Sequence, residues 1–248
     1  MTAPVVLITG ALAGIGRATA LAFARQGARL VVSGRRDDAG QALVAELREL
    51  GAEAAFIRAD VRHEADVQAL VAGTLARFGG LDVAVNNAGT EGEPGPLTEQ
   101  TAQSYAATFD TNVLGTVLSL KHELRVMLAQ GSGSIVNLSS TMGHRGQANA
   151  GLYVASKHAV EGLTKVAALE GAAAGVRVNA VAPGPIQTDM LDRFTGNNAD
   201  AKAGFLSIIP AQRAGTVEEI AQTIVFLASA KAPYLTGQSV AVDGGALA

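Results

Sequence analysis

The chain has 248 residues, 48% of them hydrophobic, and a formal net charge of −3. That length suits one α/β domain or two smaller ones with a large core, and the slight negative charge gives nucleic acid no footing as a partner. The absence of cysteine excludes disulfides and thiolate chemistry, and no apolar run approaches the roughly 18–20 residues of a membrane span.

Short apolar runs alternate with helical patterns along the whole chain. The first run, Val5-Val6-Leu7-Ile8, leaves no room before it for a signal peptide, so a cytoplasmic location is the expectation. Strands are predicted at 5–9, 29–33, 54–58, 81–86, 134–139, 177–182 and 239–242, and helices at 15–26, 38–50, 64–78, 102–130, 152–174 and 217–228. The strands are β-branched and apolar on both faces, the pattern of a parallel sheet covered on both sides. Right-handed crossovers then give an α/β fold: a single doubly wound, Rossmann-type domain over 1–248, its mostly parallel seven-stranded sheet flanked by helices. No repeat, linker or composition break divides it.

Strand 5–9 runs into Gly10-Ala11-Leu12-Ala13-Gly14-Ile15-Gly16. A pyrophosphate needs bare backbone at a tight turn and a helix N-terminus facing the anion; glycine at 10 permits the turn, and at 14 and 16 a close approach. Strand 29–33 leads to Gly34-Arg35-Arg36. A carboxylate at this point in a dinucleotide fold bonds a ribose 2′-OH, whereas an arginine takes a 2′-phosphate. Asp38 is expected to cap the next helix, with Gln41 completing a capping box. Asn86-Asn87-Ala88-Gly89 closes the fourth strand, and the acids that follow, Glu91 and Glu93, are expected to be solvated. Asn112 is a polar residue inside the predicted helix 102–130, a place that disfavours asparagine unless its amide has another job.

Tyr153 and Lys157 are four apart in a helical stretch and rise on one face. A phenol loses its proton near pH 10. An ammonium one turn away favours the phenolate, so Lys157, aided by a second cation, is expected to pull Tyr153 down. Ser139-Ser140 ends the fifth strand, where ligands bind in an open α/β sheet. A Ser-His-Asp hydrolase is rejected: the sequence has no Gly-x-Ser-x-Gly elbow, and His158 points away from the Tyr153 face.

The glycine turn, Asn-Asn-Ala-Gly, Ser140 thirteen residues before Tyr153, Tyr-x-x-x-Lys, Pro183-Gly184 and Val242-Asp243-Gly244-Gly245 occur in that order. Together they resemble the short-chain dehydrogenase/reductase family nearly end to end. The resemblance implies reversible hydride transfer between a nicotinamide cofactor and a small or medium alcohol or ketone. Tyr153 is then the general acid/base, Ser140 its partner on the carbonyl oxygen, and Lys157 the tuning cation that also holds the ribose. Asn112 is expected to kink its helix and hold a water on a proton exit. Implied cofactor residues are Gly10, Gly14, Ile15, Gly16, Ser33, Gly34, Arg35, Asp60, Val61, Asn87, Ala88, Gly89, Tyr153, Lys157, Pro183, Gly184, Ile186 and Thr188. Among these, Asp60 and Val61 meet the adenine, while Ile186 and Thr188 hold the carboxamide. NAD-preferring relatives carry Asp where this chain has Gly34, so NADP (NADPH) is expected over NAD. No metal is expected.

Segment 189–213 is expected to be a lid, with Met190, Leu191, Phe194, Phe205, Leu206 and Ile208 as apolar cover; Arg145 or Arg193 could meet an acidic substrate. Relatives pair through the last strand and the two long helices, usually as homotetramers, and an exposed apolar edge needs such cover. A 3-oxoacyl-carrier-protein reductase shares every motif, although the helix ends at 130–132 and 172–175 lack the basic residues an acidic carrier would seek. A non-catalytic cofactor-binding protein is the remaining alternative.

Overall fold

The computed structural model describes residues 3–248. Strands β1 (Val5–Thr9), β2 (Arg29–Gly34), β3 (Ala54–Arg58), β4 (Val83–Asn86), β5 (Gly133–Leu138), β6 (Val176–Pro183) and β7 (Ser239–Val242) form one seven-stranded sheet. Their order is β3-β2-β1-β4-β5-β6-β7, and every neighbouring pair is parallel. The helices are α1 (Gly14–Ala24), α2 (Asp37–Glu49), α3 (Glu64–Phe78), α4 (Ala102–Phe109), α5 (Gly115–Gln130), α6 (Gly151–Gly171), α7 (Asp189–Phe194), α8 (Ala199–Ser207) and α9 (Val217–Ala228).

Alternation along the strands sorts the core into two layers. Val6, Ile8, Leu30 and Val32 pack with Leu21, Leu43, Leu47 and Ile224 from α1, α2 and α9. Leu7, Val31, Ala84 and Ile135 face the other way, onto Leu70, Leu120, Met127 and Ala167 from α3, α5 and α6. Both faces are therefore covered, which is what a parallel sheet requires. The chain builds outward from β1 through β2 to β3, then crosses back to place β4 on the other side of β1. Strand order reverses there, opening a crevice at the carboxyl ends of the central strands.

Two local expectations need correction. The helix expected at 102–130 is broken by a π turn at Asp110–Leu114 between α4 and α5. Asp38 does not cap α2: the N-cap is Arg36, which makes no side-chain cap bond, and Asp37 and Asp38 lie inside the first turn. There their charges still favour the positive end of the helix dipole.

Candidate active site

At the end of β1 the glycine turn is held shut by asparagine. The Asn87 amide donates to the Thr9 carbonyl at 3.1 Å and the Gly10 carbonyl at 2.9 Å, while the Thr9 hydroxyl accepts from the Asn87 and Ala88 N–H groups. Side chains are excluded here. A Cβ on Gly10 would stand 2.7 Å from Ala88 Cα, and one on Gly16 would stand 2.4 Å from both Asn87 Nδ2 and the Gly10 carbonyl. Ala13, the N-cap of α1, makes no side-chain cap bond. The first amides of that helix are thus open to an anion. This bare turn under an uncapped helix fits a dinucleotide pyrophosphate, and Thr188 lies over it, its Cγ2 3.3 Å from where a Cβ on Gly14 would be.

A groove extends from the turn toward β2 and β3, lined by Gly10, Leu12, Ser33, Gly34, Arg35, Arg36, Asp60, Val61 and Arg62. A Cβ on Gly34 would meet Leu12 Cδ1 at 2.6 Å, so the space of an acidic side chain is taken by leucine. Asp37 turns away to Arg58, 3.7 Å distant on the surface. Arg35 is exposed at the groove edge, its carbonyl accepting from Arg58 Nε. Asp60 is less open to an adenine than expected. Its carboxylate is gripped by Arg62 through Nε at 3.0 Å and Nη2 at 2.6 Å, which holds its pKa down at about 2. Val61 is buried on α5, where Gly115 leaves it room.

Asparagines fix the central strand ends. Buried Asn86 donates to Glu123 Oε2 at 2.9 Å and Asn137 Oδ1 at 3.0 Å, and Asn137 donates to Thr164 on α6. Burial pushes the Glu123 carboxyl up to about 7, against the Asn86 bond that favours its charge. Asn112, in the π turn, clasps Thr90 by both backbone groups: its Nδ2 donates to the carbonyl at 2.8 Å and its Oδ1 accepts from the N–H at 2.8 Å. The same amide reaches Ser156 Oγ at 3.0 Å, and Ser156 donates to the Tyr153 carbonyl. The Asn112 carbonyl accepts from Thr116 Oγ1 at 2.8 Å. A π turn at such a place is a frequent mark of a functional site.

Ser140, Tyr153 and Lys157 line one cavity with Ile15, Asn87, Pro183, Gly184, Ile186 and Thr188. Ser140 leaves β5 as the N-cap of a 3-10 turn, its hydroxyl accepting from Met142 N–H at 3.1 Å. Tyr153 and Lys157 rise from the first turns of α6. The ammonium donates to the Leu138 carbonyl at 2.7 Å and lies 5.6 Å from the centre of the Tyr153 ring. It thus sits over the ring face. The ammonium by itself does not depress the phenol. Burial pushes Tyr153 up to about 12, hydrogen bonding with Ser140 pulls the other way, and the Glu91 charge adds to the rise. Burial also lowers Lys157 to about 8, opposed by the nearby charge of Glu161.

Met142, Met190, Leu191, Phe194 and Phe205 give the cavity its apolar walls. Leu206 and Ile208 do not line it, and Ile208 is exposed. Phe194 of α7 and Phe205 of α8 stack obliquely, centroids 5.7 Å apart. Glu91 is not solvated: its side chain is 12% exposed and accepts from Arg193 through Nε at 2.5 Å and Nη2 at 3.2 Å. That pair latches α7 to the loop after β4 and withdraws Arg193 from any substrate. Glu93 is exposed as expected. Arg145 lines the cavity, and its buried Nε has no hydrogen-bond partner among the described residues.

Sequence reasoning passed over Thr9, Glu123, Glu161 and the Leu138 carbonyl. Thr9 carried a signal, a hydroxyl at a strand end facing the turn; the carbonyl could carry none.

The family model described as enoyl-(acyl carrier protein) reductase matches residues 10–246. A 2,5-dichloro-2,5-cyclohexadiene-1,4-diol dehydrogenase of Sphingobium indicum is 43% identical over 97% of this chain and 95% of its own. A crystal structure of a short-chain type dehydrogenase/reductase from Mycobacterium marinum superposes with a TM-score of 0.93, 36% identity, and coverage of 98% and 95% of the two chains. A variant of actinorhodin polyketide ketoreductase crystallised with NADPH gives a TM-score of 0.94 at 35% identity, covering 98% of this chain and 97% of that one.

Proposed function

The chain belongs to the short-chain dehydrogenase/reductase family, and from that premise we propose that it interconverts a ring-sized alcohol and its ketone with NADP(H), using Tyr153 as general acid/base. Membership makes it a nicotinamide-dependent oxidoreductase of CH–OH and C=O groups. The observation that carries the residue roles is the convergence of Ser140, Tyr153 and Lys157 on one cavity beside the glycine turn.

When bound, the nicotinamide ring supplies a hydride for carbonyl reduction and accepts one in alcohol oxidation. Gly10, Gly14 and Gly16 would admit the pyrophosphate; Ile15, Asn87, Pro183, Gly184, Ile186 and Thr188 line the part of the cavity nearest that turn. Ser140 and Tyr153 hydrogen-bond the substrate oxygen, and Tyr153 gives it a proton as the alkoxide forms, a contribution of roughly 10²–10⁴-fold. Lys157 replenishes charge beside the phenol, and the Asn112 turn is the proposed route for the proton to solvent.

Arg35 at the end of β2, with leucine filling the Gly34 side-chain space, supports NADP over NAD. The relative crystallised with NADPH supports the same preference. The cavity holds about 150 Å³, and the nicotinamide end and the substrate would share it, which favours a small substrate. A related enzyme named for a cyclohexadiene diol points the same way. Arg145, whose Nε has no partner among the described residues, suits a carboxylate or second carbonyl on that ring. The acyl-carrier reading draws on the family description, but the helix ends at 130–132 and 172–175 remain neutral.

The lid is assigned to 189–213, hinged beside the Glu91–Arg193 latch. Exposed Val166, Leu169 and Val117 on α5 and α6, and Phe226 and Tyr234 near the β7 edge, suit a homotetramer; light scattering giving a single-chain mass would remove that assignment. Tyr153→Phe tests the central role. Loss of NADPH absorbance with a panel of cyclic ketones should fall at least roughly 100-fold, while NADPH affinity stays nearly unchanged. Undiminished turnover would refute it.

A further inference from the structure

One turn below Lys157 on α6 lies Glu161, a carboxylate that the hydride-transfer scheme leaves without a task. It is 5% exposed. Ser239, the first residue of β7, donates to its Oε1 at 2.9 Å. His144, just past the turn that begins at Ser140, brings Nε2 to 3.2 Å from the same oxygen and 3.0 Å from Ser239 Oγ. Three elements therefore meet on one oxygen: the catalytic helix, the turn after β5 and the last strand.

The turn also rests on the helix with nothing between them. A Cβ on Gly143 would stand 3.1 Å from Glu161 Cγ, 3.1 Å from the Lys157 carbonyl and 2.7 Å from Ser139 Oγ. A side chain at 143 would lift Ser140 away from Tyr153. Residues 157 and 161 share a helix face, so the carboxylate lies on the same side as the ammonium. A buried carboxylate left without its hydrogen bonds and charge partners is costly.

We propose that Glu161 is a positioning residue for this reaction: fixed by His144 and Ser239, its charge keeps buried Lys157 an ammonium, and its stem seats the Ser140 turn against the Tyr153 helix. Burial alone drives Lys157 toward the neutral amine, and the Glu161 charge is what opposes it. The other ionisable groups facing this region are Tyr153 on the same helix, Glu91 on the loop after β4, and His144 and Arg145 after β5. Glu91 is already paired with Arg193, and Arg145 is itself a cation. Glu161 is thus the carboxylate left to support Lys157.

The consequence for turnover rests on the roles proposed for Tyr153 and Lys157, but the ionisation itself can be read without substrate or cofactor. The whole protein, with lysines carrying ¹³C at Cε, is titrated by NMR, and the Lys157 resonance is identified by its loss in Lys157→Met. Wild-type Lys157 should titrate near 8. In Glu161→Gln, which keeps the shape and loses the charge, the midpoint should fall by about one pH unit. Ser239→Ala keeps the charge and should titrate with wild type. Should Glu161→Gln fail to fold, His144→Lys offers a second route from a side chain that is 36% exposed. It sets a permanent cation against the carboxylate and should also lower the midpoint.

Midpoints that stay together in both charge-altering variants overturn the proposal. If they move, the alkaline limb of kcat/KM for ketone reduction should move with them. A limb that stays put while Lys157 shifts would leave the Glu161–Lys157 coupling intact and refute the place of Lys157 in turnover.

Discussion

Glu123→Gln gives the most direct measure of how burial governs charge at the strand ends. Glu123 sits on α5, 1% exposed, with Asn86 Nδ2 donating to one oxygen at 2.9 Å. Burial raises its pKa from 4.5 to about 7, and the Asn86 bond only partly opposes that rise. The folded state therefore holds this proton more tightly than the unfolded chain. The resulting stabilisation is complete below about pH 4.5 and is lost as the pH climbs through about 7. At about 1.4 kcal/mol per pH unit, the interval amounts to about 3 kcal/mol. Glutamine removes the titration and keeps the shape. Its oxygen can accept from Asn86 Nδ2, and its N–H can donate to Asn86 Oδ1, which has no partner among the described residues. Thermal unfolding followed by circular dichroism at about pH 5 and about pH 8 should show the variant gaining on wild type as pH rises. The gain should reach roughly 6–12 °C, at roughly 2–4 °C per kcal/mol for a chain of this size. An offset equal at both pH values would mean that Glu123 does not titrate between them, and the argument would fail.

Arg35→Gln should raise the KM for NADPH roughly 10–100-fold, the worth of a charge-assisted bond at about 1.5–3 kcal/mol, and leave the KM for NADH nearly unchanged; parallel steady-state assays with the two cofactors decide it, and an equal rise in both would remove the phosphate contact. For Arg145→Met, the comparison is between cyclohexanone and 4-oxocyclohexanecarboxylate. Wild type should favour the acid by at least roughly 10-fold in kcat/KM and the variant should not; a preference that survives the substitution places the acceptor elsewhere.

The sheet was readable because its strands are apolar on both faces, the pattern of a doubly covered parallel sheet, and runs of four to eight residues set the boundaries closely. The π turn was not. Residues 102–130 keep a helical rhythm throughout, and the extra residue at Asp110–Leu114 is stabilised by Asn112 clasping Thr90, a contact between segments 22 residues apart. Asn112 itself was legible as an anomaly. Glu123 and Glu161 were harder, since a charged residue on an amphipathic helix ordinarily faces water. What buries them is the close approach of Asn86 in one case and of Ser239 in the other. Glu91 and Arg193 form a pair across a hundred residues of chain, which spacing could not reveal.

The phenol shows most clearly where spacing stops being informative. A four-residue interval puts Tyr153 and Lys157 on one face, but the effect of the ammonium depends on where its nitrogen is held. The Leu138 carbonyl holds it over the ring at 5.6 Å from the centre, and burial then decides the outcome. Glu123, Tyr153 and Lys157 are each driven toward their neutral forms. This serves a reversible enzyme. In the proposed scheme Tyr153 is an acid in carbonyl reduction and a base in alcohol oxidation, where an oxidised nicotinamide would bring a positive charge. A phenol resting at about 12 is ready for the first task. A cation bound beside it would pull its pKa down, so under that scheme the base would arise only in the oxidising complex.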